Sequence, residues 1–387
     1  MQSPIRILTV YALRWIPRIT LAIFTLSLLA PAPPRAILGA PQTVVTQHPQ
    51  LCVHTRLIDE VEEWKIQRSL QMVREMGADT IVEFFPWAYI ESNEGEYHWE
   101  NVDRIVRHAE NQGIQIIARM GFVPAWAQPD HGGRVTLNTL PEDRFDAFAG
   151  FVAAFAGRYA GIINRLIIWN EPNLAFEWGY REVSPEGYAR LLEVVYPAAH
   201  EANENVEILA APLAPNLEPP GSPTAMNDLG YLRALYAAGA SANFDALAMH
   251  TYGFTQPASE MPDSSRLNYR RAELLREIMV EHGDFGKPVY ITEMGWNDSD
   301  RWAYAVSPSD RIAYTLQAYE IAEANWDWAS KVCNWVLRYP APTYSYPDRF
   351  TLLDTEFQPH PLYNTLQSYS RGGEVGENLW YPAPTAH

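Results

Sequence analysis

Two glutamates stand out by where they sit. Glu171 follows the apolar run Leu166-Ile167-Ile168-Trp169 within Trp169-Asn170-Glu171-Pro172-Asn173. Glu293 follows Val289-Tyr290-Ile291-Thr292 and precedes Met294-Gly295-Trp296. An ionised carboxylate is costly to bury, so an acid at the end of an apolar run needs a reason. Taken singly, each is as well explained by a helix cap or an arginine partner. Taken together they match a specific chemistry. Two carboxyl groups aimed at one point can protonate a leaving oxygen and place a carboxylate on the opposite face of a sugar ring. Repulsion between them raises one pKa and helps keep the acid protonated near neutrality. A separation of roughly 5–5.5 Å would imply retention through a covalent glycosyl-enzyme.

From about residue 50 the chain alternates short β-rich runs with longer amphipathic stretches. The strands are predicted at Leu51–Arg56, Thr80–Phe85, Ile114–Met120, Arg165–Trp169, Val206–Ala211, a run ending at Ala246–His250, Pro288–Thr292 and Val332–Leu337. Helical spacing lies between them, as in Val61, Trp64, Ile66, Leu70 and Val73 ahead of Gly77. Eight such units predict an α/β fold, a (β/α)8 TIM barrel, over residues 45–371. An open doubly wound sheet would normally carry a glycine-rich phosphate turn after its first strand, and His54-Thr55-Arg56-Leu57 is nothing like one. In a barrel the chemistry sits at the C-terminal ends of the strands. Strands four and seven face each other across that mouth, which brings Glu171 and Glu293 to one gap.

The Trp169-Asn170-Glu171-Pro172-Asn173 segment, with Ile291-Thr292-Glu293 after it, resembles the clan A glycoside hydrolases. The form is most similar to the β-xylosidase and α-L-iduronidase branch, with cellulase-like members close. Trp87-Ala-Tyr-Ile-Glu91, Glu94 to Trp99, Pro124-Ala125-Trp126 and His250-Thr251-Tyr252 extend the resemblance over most of residues 50–340. It implies Glu171 as general acid/base and Glu293 as nucleophile of a retaining β-glycosidase. It further implies that Asn170 bonds a sugar 2-hydroxyl, that Tyr252 donates to Glu293, that His250 supports that wall, and that Trp335 stacks beneath the sugar. Trp87, Trp126, Trp178 and Trp296 are candidate cleft platforms. Many clan members carry an arginine on strand two. Here that strand reads Ile81-Val82-Glu83-Phe84-Phe85, and a buried ion pair of Glu83 with Arg56 or Arg119 is expected to compensate. A catalytically silent sugar-binding barrel, or a transglycosylase on the same site, is the alternative reading.

Composition agrees with a sugar ligand. The net charge of −17 repels nucleic-acid phosphates, and no Lys/Arg run offsets it. Thirteen Trp and 21 Tyr lean towards the flat apolar surfaces on which pyranoses stack. No metal or cofactor is implied, because no His-x-His pair, Gly-Lys-Ser/Thr loop or Gly-x-Ser-x-Gly elbow occurs. Arg14 and Arg18 precede the apolar run Ile19 to Ala30, which reads as a secretory signal or N-terminal anchor within residues 1–40. The expectation is a secreted or membrane-tethered protein, with residues 372–387 as a tail. Cys52 and Cys333 fall on the first and last strands. Two free buried thiols are favoured over a disulfide.

Overall fold

A computed structural model describes residues 36–129 and 135–373. The chain divides into two compact units, residues 1–37 and 38–387, and the description that follows concerns the second. The export segment and nearly all of the tail anticipated from sequence lie outside the described residues.

Eight parallel strands close into a barrel in chain order. They are β1 (Leu51–His54), β2 (Thr80–Pro86), β3 (Gln115–Gly121), β4 (Arg165–Ile168), β5 (Glu207–Ala210), β6 (Ala246–Tyr252), β7 (Val289–Gly295) and β8 (Ala329–Asn334). Each is followed by a helix: α1 (Glu63–Met76), α2 (Glu100–Gln112), α3 (Phe145–Arg158), α4 (Pro185–Ala202), α5 (Asp228–Ala237), α6 (Arg271–Glu281), α7 (Pro308–Asn325) and α8 (Pro361–Ser370). A single turn, Trp87–Ile90, precedes α2. The expected (β/α)8 barrel is the observed fold.

Local chemistry sets the boundaries. Ile66, Leu70 and Val73 put one buried stripe on α1, and Gly77 ends it in the left-handed conformation that glycine takes without strain. Ser184 and Ser307 cap α4 and α7 by accepting from the amides of Gly187 and Asp310, and a proline follows each cap. Ahead of α6, which begins at Arg271, Asp263 accepts from both the amide and the hydroxyl of Ser265 and holds a turn there.

Two cores result from the strand alternation. One residue set, such as Val53, Ile81, Leu166 and Ile208, packs outward against the helices. The other fills the barrel itself: Cys52, Val82, Ile117, Ile167, Leu209, Ala246, Ala248, Tyr290 and Cys333. At the lower end Arg165 donates to Tyr290 at 2.9 Å and to Glu207 at 3.1 Å and fills the axis there. The cysteine expectation is corrected. β1 and β8 pair in a register that sets Cys52 directly opposite Cys333, both side chains point into the barrel, and the two form a disulfide.

Candidate active site

A cavity of about 280 Å3 opens at the C-terminal ends of the strands. Arg56, Phe84, Arg119, Met120, Gly121, Phe122, Asn138, Trp169, Asn170, Glu171, Glu177, Glu293 and Trp335 line it. Both glutamates singled out by sequence are therefore on its wall.

The chain turns sharply to deliver Glu171. Trp169 and Glu171 take left-handed backbone angles, with φ of 79° and 39°. Such angles cost a non-glycine residue on the order of 1–3 kcal/mol and persist only where the surroundings impose them. Here the Trp169 ring is wedged edge-on against Phe148 and Trp178, and its indole N–H donates to the Glu177 carbonyl at 2.8 Å. The Glu171 amide donates to the Pro212 carbonyl at 3.0 Å. The turn ends β4 one residue earlier than the sequence suggests and points Asn170 and Glu171 to the mouth.

Glu293 arrives by a different device. Strict alternation from the inward Tyr290 would turn Thr292 inward and Glu293 out. The pairing slips instead: Met249 faces Ile291 but His250 faces Glu293, so β7 carries one extra residue. The same slip appears against β8 between Ile291 and Met294. A bulge of this kind re-aims a side chain, and here it re-aims the carboxylate to the cavity.

Four groups surround the two acids. Arg119, on the inward face of β3, donates from Nη1 to Glu293 Oε1 at 3.1 Å and to Asn170 Oδ1 at 2.8 Å. The Tyr252 hydroxyl donates to Glu293 Oε2 at 2.7 Å. His250 places Nδ1 2.7 Å from Glu171 Oε1 and Nε2 3.5 Å from Glu293 Oε1. His54 approaches Glu293 Oε1 to 3.7 Å from the other side and packs edge-on against Trp335, which lines the cavity as expected of a residue just after β8. One imidazole thus spans the two acids. Both carboxyl groups are within reach of one ring, on opposite edges of it.

Burial governs the protonation of these groups. It pushes the Glu171 carboxyl up to about 7, with the Arg119 charge opposing. It also raises Glu293, where His250, Arg119 and the Tyr252 hydrogen bond oppose it. It lowers His250 to about 4 and His54 well below the ordinary imidazole range, so both rings are neutral at pH 7. The cavity therefore combines a carboxyl that holds its proton near neutrality with a second one held by a guanidinium and a phenol.

Several expectations need correction. Glu83 forms no ion pair with Arg56 or Arg119. It lies on the outward face of β2 with Ile81 and Phe85, where its carboxylate accepts from the Thr55 hydroxyl at 2.5 Å and from the amides of Leu57 and Ile58 at 3.0 and 3.1 Å. Arg56 pairs with Asp59. The cavity cation comes from β3 instead, with the Arg119 guanidinium 4.8 Å above the Phe84 ring. Trp87, Trp178 and Trp296 are not cleft platforms, being at most 2% exposed, and Trp296 donates to the Gln256 carbonyl. Trp126 is part-buried, donates to the Glu91 carbonyl at 2.9 Å, packs edge-on against Trp87, and lies outside the cavity lining.

Four residues of the site were missed or misassigned. His54 and Arg119 sit two positions beyond Cys52 and Ile117, so they share the inward face once the closed barrel fixes which face that is. Glu177, with Asn138 beside it, comes from a loop, and nothing in its spacing marks it.

A family model described as Glyco_hydro_42, β-galactosidase, matches residues 58–139. Among solved structures, a family 39 glycoside hydrolase from Bacteroides cellulosilyticus WH2 superposes with a TM-score of 0.66 at 19% identity, over 86% of this chain. This chain spans 65% of that protein's length. A GH5_18 protein from Streptomyces cattleya in complex with GlcNAc gives a TM-score of 0.62 at 16% identity, over 84% of this chain and 80% of that one. The fold is the barrel that these glycoside hydrolases share. An exo-β-1,4-mannosidase from Opitutaceae bacterium strain TAV5 shares it at a TM-score of 0.55 and 16% identity, over 87% of this chain and 62% of that one. No curated protein matches the sequence.

Proposed function

We propose that this protein is a retaining glycoside hydrolase that cleaves β-linked oligo- or polysaccharide by double displacement. The observation that carries the reading is the pair of carboxyl groups, Glu293 buried on β7 and Glu171 half-buried just after β4, spanned by one neutral imidazole and facing one cavity. Glu293, held by Arg119 and Tyr252, attacks the anomeric carbon. As the bond to the leaving oxygen breaks, Glu171 transfers its proton to that oxygen. A glycosyl ester of Glu293 results. Glu171, now ionised, takes a proton from water as the water oxygen attacks the same carbon, and Glu293 leaves as carboxylate. Asn170 accepts from Arg119 and donates one amide hydrogen to Glu177, which leaves its second amide hydrogen for a sugar hydroxyl. Trp335 offers its ring as the floor.

Export belongs to the same proposal. The basic flank and apolar run near the N-terminus support it. So does the Cys52–Cys333 disulfide, a bond that persists in oxidising compartments.

The test is hydrolysis of an aryl-glycoside panel by the wild type and Glu293→Ala, with NMR of the first-formed anomer. Loss of turnover by several orders of magnitude and retained configuration are expected. Near-normal turnover by Glu293→Ala ends the assignment, and an inverted first product ends the double-displacement mechanism.

A further inference from the structure

The cavity holds a third carboxyl group that the two-carboxylate chemistry does not use. Glu177 lies in the loop between β4 and α4, and its side chain lines the cavity alongside Glu171. Its placement is built from several sides. The backbone carbonyl of Glu177 is anchored by the Trp169 indole. Oε1 accepts from Asn170 Nδ2 at 3.2 Å and Oε2 from Asn138 Nδ2 at 2.9 Å. Among the described residues no cation pairs with it. A carboxylate has about four lone-pair positions. Two amides occupy one on each oxygen, so each oxygen keeps one acceptor position. Two adjacent acceptors on one rigid plane match two hydroxyl donors on neighbouring ring carbons.

We propose that Glu177 is a specificity-determining residue that accepts hydrogen bonds from a vicinal diol of a neutral glycone, one hydroxyl to each carboxylate oxygen. This rests on the sugar-binding part of the reading above. Asn138 and Asn170 act as the positioning residues that fix the plane of the carboxylate. A glycone with a sulfate or carboxylate group at either of those two carbons loses a donor and meets a like charge, and is disfavoured.

Binding tests this without requiring turnover. Methyl xyloside, glucoside, galactoside and mannoside, with the monodeoxy analogues of whichever binds, are titrated into the wild type, Glu177→Ala and Glu177→Gln by saturation-transfer NMR. Hydrolysis of the corresponding aryl glycosides is measured in parallel, and melting curves verify folding. At pH 8.5, where the Glu177 carboxyl is ionised, removing either of two adjacent hydroxyls is expected to weaken wild-type binding about 10- to 100-fold each, the range of a hydrogen bond to a charged group. In Glu177→Ala those two penalties fall to a few-fold while the penalties at other positions persist. Glu177→Gln, which keeps one acceptor, should retain one of the two. The proposal is overturned if Glu177→Ala weakens every analogue by the same factor, if the sensitive hydroxyls are not adjacent, or if the wild type binds none of the glycosides. Glu177-dependent binding without hydrolysis would leave the proposal standing and remove the hydrolase reading. Hydrolysis with Glu177-independent hydroxyl penalties would do the reverse.

Discussion

Replacing Glu171 by Gln keeps the side chain's size and its place beside His250 but takes away the transferable proton. Burial holds the Glu171 carboxyl at about 7. At pH 7 half of the molecules then carry the proton, whereas an ordinary glutamate near 4.3 would carry it in roughly one molecule in 500. The difference corresponds to about 4 kcal/mol in favour of the acid form. Above pH 7 the protonated fraction falls tenfold per unit. The wild type should therefore lose kcat/KM along an alkaline limb centred near 7 on glycosides with poor leaving groups. Glu171→Gln should lose about 10²- to 10⁴-fold on those substrates, the usual contribution of a positioned acid, and should show no such limb. On dinitrophenyl glycosides its kcat/KM should stay within a few-fold of wild type, because that leaving group departs without a proton. The assay is a pH series on two aryl glycosides of different leaving-group pKa. Wild-type rates on the poor substrate would refute the assignment of Glu171. An alkaline limb that survives unchanged in the variant would transfer the titration to Glu177, whose carboxyl burial and the Glu171 charge also push to about 7.

Three further perturbations have defined outcomes. Arg119→Met removes the cation that favours the ionised forms of both Glu171 and Glu293, so both limbs of the pH–rate profile should move to higher pH; unchanged limbs would contradict the placement of Arg119. Mutating Cys52 and Cys333 together to Ala opens a loop closed across 281 residues and should lower stability by up to about 5 kcal/mol on the chain-entropy argument, read as a lower melting temperature; thiol labelling of the unfolded, unreduced wild type should find no free cysteine. Glu83, fully buried, has its folded-state pKa raised by burial to about 7, against the hydrogen bonds of Thr55, Leu57 and Ile58. A raised folded pKa gives stability that is complete below about 4.5 and lost as pH rises through 7, a change on the order of 3 kcal/mol from this group; a melting temperature that climbs between pH 5 and 8 would argue against it.

The sequence by itself determined the alternation of strand and helix, because the apolar spacing, the serine caps and the closing glycines are local features that survive any packing. It also marked the two acids, because a charged group directly after a buried strand is costly and therefore conspicuous. It could not tell the inside of the barrel from the outside. Parallel strands are apolar on both faces, so Ile81-Val82-Glu83-Phe84-Phe85 carries no sign that Glu83 faces the helices and Phe84 the cavity. Closure of the ring decided that Cys52 and Cys333 meet, since their strands are neighbours only once β8 returns to β1. The register slip in β7 decided where Glu293 points, and it depends on β6 and β8 rather than on β7 alone. Glu177 and Asn138 were decided last of all. They come from separate loops with no periodicity, and the contact between those loops, with Asn138 donating to Glu177 and to the Phe176 carbonyl, puts the two on one wall.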